Sequence, residues 1–147
     1  MPQFAGILAR FIALLIDNIM MWIIAVGLTL LLVPFLGLAG NTDSAFLGLL
    51  AGTAMLVLLV IILALQFFYF GYMWSKSGQS IGMKMVGVRV VRRHDGDRLS
   101  FLRAGLRGTL GYYISGLVFS LGYIWAIFDP NKEAWHDKLF DTWVVNA

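Results

Sequence analysis

Cysteine is absent from the 147 residues. Its absence excludes disulfides, thiol nucleophiles and cysteine-held metals, and it leaves the redox compartment unreadable. Charge is the second scarcity: only 13% of residues are charged, against roughly 25% in an ordinary soluble domain. Such a chain cannot coat a water-soluble globule. Its eight acids and eleven bases leave three uncharged stretches, Asn18 to Thr42 (25 residues), Ser44 to Ser75 (32) and Gly108 to Phe128 (21). A helix needs about 20 apolar residues to cross a bilayer, so each stretch is long enough. Mean hydropathy is +0.83, and the sequence reads as an integral membrane protein. The longest polar stretch, 76–107, has only 32 residues and leaves no room for a separate soluble domain. A single membrane domain over 1–147 is expected.

Net charge is +3 with a pI near 9.5. In a membrane protein such basicity reports topology and anionic headgroups rather than nucleic acid, and no nucleic-acid partner is expected. A cleavable signal peptide also fits poorly. No basic residue precedes Arg10, and the first apolar run far exceeds the roughly 7–15 residues of a signal core. The first helix is expected to stay in the mature chain.

The fold class expected is an all-α membrane protein: two transmembrane helices, a third apolar segment, a short cytoplasmic β element and an amphipathic interfacial helix. The spans fall at about 6–34, 45–72 and 109–128, around a basic segment 73–108 and ahead of a polar tail 129–147. Pro34, Gly37 and Gly40 punctuate the exit of the first span, and Asn41-Thr42-Asp43-Ser44 makes a polar turn. The second span ends in Phe67, Phe68, Tyr69, Phe70, Tyr72 and Trp74, a cluster suited to the membrane–water interface.

Orientation follows from the cations. Lys76, Lys84, Arg89, Arg92, Arg93, Arg98, Arg103 and Arg107, eight of eleven, lie between the second and third apolar stretches, and the turn at 41–44 has none. The positive-inside rule puts the basic segment and the amino terminus in the cytoplasm. Within that segment, Met85 to Val91 alternates like a strand and His94-Asp95-Gly96-Asp97 like a turn. Leu99, Leu102, Leu106 and Leu110 then recur at helical spacing, with Arg103 and Arg107 four apart, as in an interfacial helix turning leucines to lipid and arginines to phosphate. The third apolar stretch either spans once, leaving the tail outside, or re-enters with a break near Ser115-Gly116 or Ser120-Leu121-Gly122, returning the tail to the cytoplasm.

Candidate site residues are few. Arg10 and Asp17 are seven apart, about 10.5 Å of helical rise and nearly one face. An ionisable group inside a span is a functional candidate by default, although Asp17 could equally pair with a basic residue and hold helices in register. Gln66 and Asn18 lie at comparable depth and could line one polar seam with Asp17, although a plain interhelical hydrogen bond is the more frequent role for such a glutamine. Gly78-Gln79-Ser80-Ile81-Gly82-Met83-Lys84 fails as a phosphate loop, because Met83 separates Gly82 from Lys84 and the glycine spacing is too short. It reads as a turn. His94-Asp95 and His136-Asp137 are weak as metal ligands, and no metal or cofactor is expected. No Ser-His-Asp spacing, HExxH or paired carboxylates argue for an enzyme.

Together, Arg10, Asp17, "GQSIGMKMVGVRVV" (78–91), "SFLRAGLRG" (100–108) and "FDPNKEAWHDKLFDTWVV" (128–145) resemble the RDD family of bacterial membrane proteins. The family is named for one arginine and two aspartates, roles that would fall on Arg10, Asp17 and Asp137. Gly78, Gln79, Gly82, Lys84 and Arg89 would form its cytoplasmic motif. One departure stands out: Phe140-Asp141 occupies the place of a small, glycine-containing link. The resemblance implies a multi-pass protein of the bacterial inner membrane, from a family proposed to transport unidentified ligands and linked in some members to sodium–proton exchange. Pairing of Val88–Val91 with Trp143–Val145 would place both on the cytoplasmic side, where Asp137 could meet Arg10 or Lys84.

Two functions follow. One is a small transporter or exchanger subunit for protons, cations or another small ligand, working as a homo-oligomer or with a partner membrane subunit because three segments cannot easily enclose a path. The other is a non-catalytic scaffold or accessory subunit binding a partner or anionic lipid through the basic segment, which carries +6, notably Arg103 and Arg107. Each cation near a membrane surface is worth about 1 kcal/mol of lipid attraction.

Overall fold

The computed structural model describes residues 3–40, 43–117 and 121–147. Asn41 and Thr42 of the expected turn, and Ser120 of one expected break, lie outside the described residues. Two long antiparallel helices, α1 (Ile7–Gly40) and α2 (Ala45–Lys76), are apolar enough to cross a membrane. Helix α1 carries Pro34 within it and continues to Gly40, so the proline does not end the helix as its position suggests. Ser44 caps α2, its hydroxyl accepting from the Leu47 N–H.

The basic segment departs from the expected strand at its start. Ser80 caps a short helix, α3 (Ile81–Val86), and Gly87 closes it in the left-handed conformation at φ 73°. A left-handed residue after the last turn satisfies free carbonyls and stops a helix, so Met85 and Val86 are helical and strand β1 begins at Val88, ending at Arg92. Gly82 is where α3 meets α1, and any Cβ there would run into the Ala13 carbonyl.

Helix α4 (Phe101–Leu106) runs through a π-helical turn at Arg107–Gly111 into α5 (Tyr112–Gly116). Helix α6 (Leu121–Phe128) leaves at 91° to the 101–116 helix. A short α7 (Trp135–Leu139) and strand β2 (Thr142–Asn146) follow. Strand β2 pairs antiparallel with β1, Val88 opposite Asn146 through Arg92 opposite Thr142. The amino terminus joins on β2's other side: the Ala5 N–H donates to the Val144 carbonyl at 2.9 Å and the Asn146 N–H to the Gln3 carbonyl at 2.9 Å. Chain start, basic segment and tail therefore share one end of the α1–α2 pair, and the third apolar segment leaves and returns on that side. A single crossing would have torn β2 from β1.

The aromatic end of α2 is core more than belt. Phe70 and Trp74 are buried, with Tyr112 edge-on to both rings, while Phe67 and Phe68 pack on Phe101. Only Phe68 and Tyr72 remain exposed. The segment that follows folds back over these rings, and sequence alone does not say which rings it covers.

Candidate functional site

Asp137 is fully buried, although it lies in a polar tail beside Lys138. It sits in the third position of α7, where its Oδ2 accepts from the Ala134 N–H at 3.0 Å, holding the helix start. Arg10 Nη2 donates to the same oxygen. Arg107 Nη2 donates to Oδ1, and the Thr142 hydroxyl donates to Oδ1 at 3.2 Å. Arg107 also donates from Nε to Thr142 Oγ1 at 3.0 Å, and its guanidinium lies 4.5 Å over the Trp74 ring. Arg10 Nη1 donates to the Lys132 carbonyl. Burial alone would push the Asp137 carboxyl up, but Arg10 and Arg107 outweigh it and hold it well below the usual carboxylate range. One carboxylate thus ties the beginning of α1, the π-helical turn, α7 and β2 together.

Arg107 overturns an expectation. It is 1% exposed and turned inward, not toward lipid phosphate. Leu102 and Leu110 do face outward, while Leu99 is buried and Arg103 is half-buried. Spacing of four gives no hint that a carboxylate, a threonine and an indole wait beside Arg107. The π-helical turn begins at Arg107, and such turns often occur at functional sites.

His136, beside Asp137, is buried between the Tyr112 and Tyr123 rings. Its backbone N–H donates to Ser115 Oγ at 3.1 Å, and that hydroxyl lies 2.8 Å from Nδ1. The other ring nitrogen, Nε2, lies 3.8 Å from Asp137 Oδ1. Burial pushes the imidazole down to about 3; Asp137 pulls it back up, while Arg107 and Arg10 add to the depression. The ring is therefore neutral.

Asp17 stays apart from this cluster. It is buried on α1 and its Oδ1 accepts from the Tyr69 hydroxyl at 2.8 Å and the Gly82 N–H at 3.0 Å, while Oδ2 accepts from the Ser80 hydroxyl. Ser80 and Gly82 flank the first turn of α3, so the carboxylate holds that turn onto α1 next to Ala13. Asp17→Asn should put an amide NH₂ against one of these donors and cost about 1–3 kcal/mol. A lowered melting temperature in detergent checks it, and an unchanged one would show the bonds to be dispensable.

Of the two readings of Gln66, the interhelical hydrogen bond holds and the polar seam does not form. Gln66 turns to the other side, donating to the Gly108 carbonyl at 2.7 Å and accepting from the Tyr113 hydroxyl at 3.0 Å. Asn18 is exposed and borders the cavity described next. Gly78, at φ 74°, turns the chain from α2, with its carbonyl accepting from the Val90 N–H, and Gln79 donates to the Val88 carbonyl at 2.9 Å. Lys84 and Arg89 are exposed, so Asp137 meets Arg10 and not Lys84. Sequence reasoning missed Ser115, Thr142, Tyr69 and Tyr112. A lone hydroxyl in an apolar run gives no signal until its partner is placed.

A cavity of about 370 Å³ lies between the first turns of α1 and α6, bordered by Arg10, Asn18, Arg107, Tyr112, Tyr123 and His136 and otherwise by apolar side chains such as Leu14, Met83 and Ile127.

A model of the RDD family matches residues 4–141, nearly the whole chain. The chain belongs to the RDD family. Arg10 and Asp137, on which the resemblance places the namesake arginine and second aspartate, are bonded to each other, while Asp17 is bonded elsewhere. The RDD chain is similar to Uncharacterized protein YxaI of Bacillus subtilis (strain 168), 28% identical over 153 residues with 99% of each chain covered. It is also similar to Uncharacterized membrane protein YteJ of the same organism, 28% identical over 144 residues with 97% of this chain and 81% of that one covered. No solved structure matches it. With two long apolar helices and a membrane-protein relative, this RDD chain is a membrane protein. Where the resemblance implies a glycine-containing link, Asp141 takes φ 52°. Aspartate tolerates the left-handed region better than most residues, so it makes the turn into β2 that a glycine would make.

Proposed function

We propose that this RDD protein is a non-enzymatic subunit of a small-ligand transporter, assembled as a homo-oligomer or with a partner membrane subunit. The observation that carries this is the cavity of about 370 Å³ bordered by Arg10, Arg107 and His136 at the polar end of the apolar helices. Pockets of this size and mixed lining suit small molecules. Asp17 and Asp137 both have donors on each oxygen, which argues against either as a bare cation site and favours another small ligand over protons or sodium. Two spans and a re-entrant segment enclose no path by themselves, hence the assembly.

Flux into proteoliposomes, with sodium, potassium, lithium, protons and small organic anions supplied in turn, tests the reading. We expect flux of one of these that is lost in Leu14→Trp, which fills the cavity. Flux indifferent to the plug, or silence with every solute in folded protein, would overturn it.

The membrane assignment extends to orientation: the cation-rich end supports a cytoplasmic amino terminus and tail in a bacterial inner membrane. Because the chain has no cysteine, single cysteines report side directly. In intact cells an impermeant maleimide should label Asp43→Cys and spare Asp97→Cys and Ala147→Cys; labelling of Ala147→Cys would place the tail outside.

A second reading, an accessory subunit that holds anionic lipid or a partner, draws on Lys84 and Arg89, exposed and without a carboxylate partner among the described residues. Arg107 no longer contributes. A protein copurifying in mild detergent and lost in the Lys84→Ala/Arg89→Ala variant would favour it.

A further inference from the structure

We propose that the cavity between α1 and α6 binds an anionic amphiphile, a carboxylate or phosphate carried on an apolar chain. The inference rests on the reading of that cavity as a ligand site and names its ligand class. Its geometric basis is Arg107. The side chain is 1% exposed and borders the cavity, and its Nη1 has no hydrogen-bond partner among the described residues, although Nε and Nη2 are bound. The indole Nε1 of Trp74, stacked against the guanidinium, is also unpartnered there. A buried N–H donor left without an acceptor is costly to keep, and Arg107 is the one of the two residues that borders the cavity.

Charge gives the sign. Arg10, Arg107, Asp17 and Asp137 sum to zero, but only the two arginines border the cavity. His136 also borders it and is neutral. A ligand entering therefore meets guanidinium before carboxylate. The remaining wall, including Ile7, Phe11, Leu14, Ile124 and Ile127, is apolar, and it selects a chain over a hydrated ion. An acid oxygen would accept from Arg107 Nη1, with its tail along α1 and α6.

The test uses the full-length protein in nanodiscs of zwitterionic phosphatidylcholine and counts labelled ligand against empty discs. Decanoate and decyl phosphate should bind saturably, at least tenfold more tightly than decyltrimethylammonium of the same chain length. Leu14→Trp, which leaves the Asp137 cluster untouched, should abolish the saturable part. Equal binding of the cation, or binding unchanged by Leu14→Trp, would overturn the proposal. Native mass spectrometry separates the sources. An anionic phospholipid carried from the membrane and displaced by decanoate identifies a lipid headgroup; decanoate binding with no such lipid identifies a free anion. Saturable binding without flux in proteoliposomes would keep this site and remove the transport reading, whereas loss of both would remove the two together.

Discussion

Asp137→Asn should cost the folded protein about 3–5 kcal/mol, the typical penalty for removing one partner of a buried ion pair. The substitution keeps the size of the side chain and could preserve the bond from the Ala134 N–H, yet it leaves Arg107 charged, buried and without a counterion. Arg10 is somewhat better placed, being partly exposed and still bonded to the Lys132 carbonyl. The expected result is protein that loses its monodisperse peak in detergent or melts far below the wild type. Adding Arg107→Met should recover part of the loss, because the uncompensated charge leaves with it. A single Asp137→Asn variant as heat-resistant as the wild type would mean that the cluster does not hold the tail.

Acid should weaken the same region before it protonates the carboxylates. His136 titrates near 3 when folded and near 6.5 when unfolded. Its depressed value means that the unfolded chain binds a proton which the folded one refuses, so stability is complete above about pH 6.5 and is lost as pH falls toward 3. At pH 5 the loss is about 2 kcal/mol. Asp137, also depressed, adds loss in the same direction only below its ordinary carboxylate range. Melting temperatures between pH 7.5 and 4.5 should therefore decline, and His136→Gln should flatten that decline. An equal slope in the variant would assign the acid sensitivity elsewhere.

Much of the fold is legible from residue types. The two long helices, the turn at His94–Asp97, the strand over Val88–Val91 and a tail strand at Trp143–Val145 follow from uncharged length, β-branching and turn residues. The start of β1 is less so, because Gly87 reads as one more small residue until its left-handed φ is known. The candidate site is legible in part. Arg10 and Asp17 stand out because charge is scarce in the apolar first span, whereas Asp137 stands out only through the family resemblance. Gln66 and Asn18 stand out as polar side chains within apolar runs, but Gln66 bonds to Gly108 and Asn18 borders the cavity.

The sequence by itself determined that this chain lives in a membrane, that eight of its eleven cations gather in one segment and that it carries the RDD motifs. Those are one-dimensional properties: hydrophobic length, charge count and local spacing. Tertiary structure alone decided that the third apolar segment returns, that Arg107 turns inward, and that Asp137 takes both arginines while Asp17 takes Tyr69, Ser80 and Gly82. The reason is physical. A buried charge is stable only with its partners in place, and residues more than 100 positions apart, such as Arg10 and Asp137, become partners only when β2 closes on β1 and the amino terminus closes on β2.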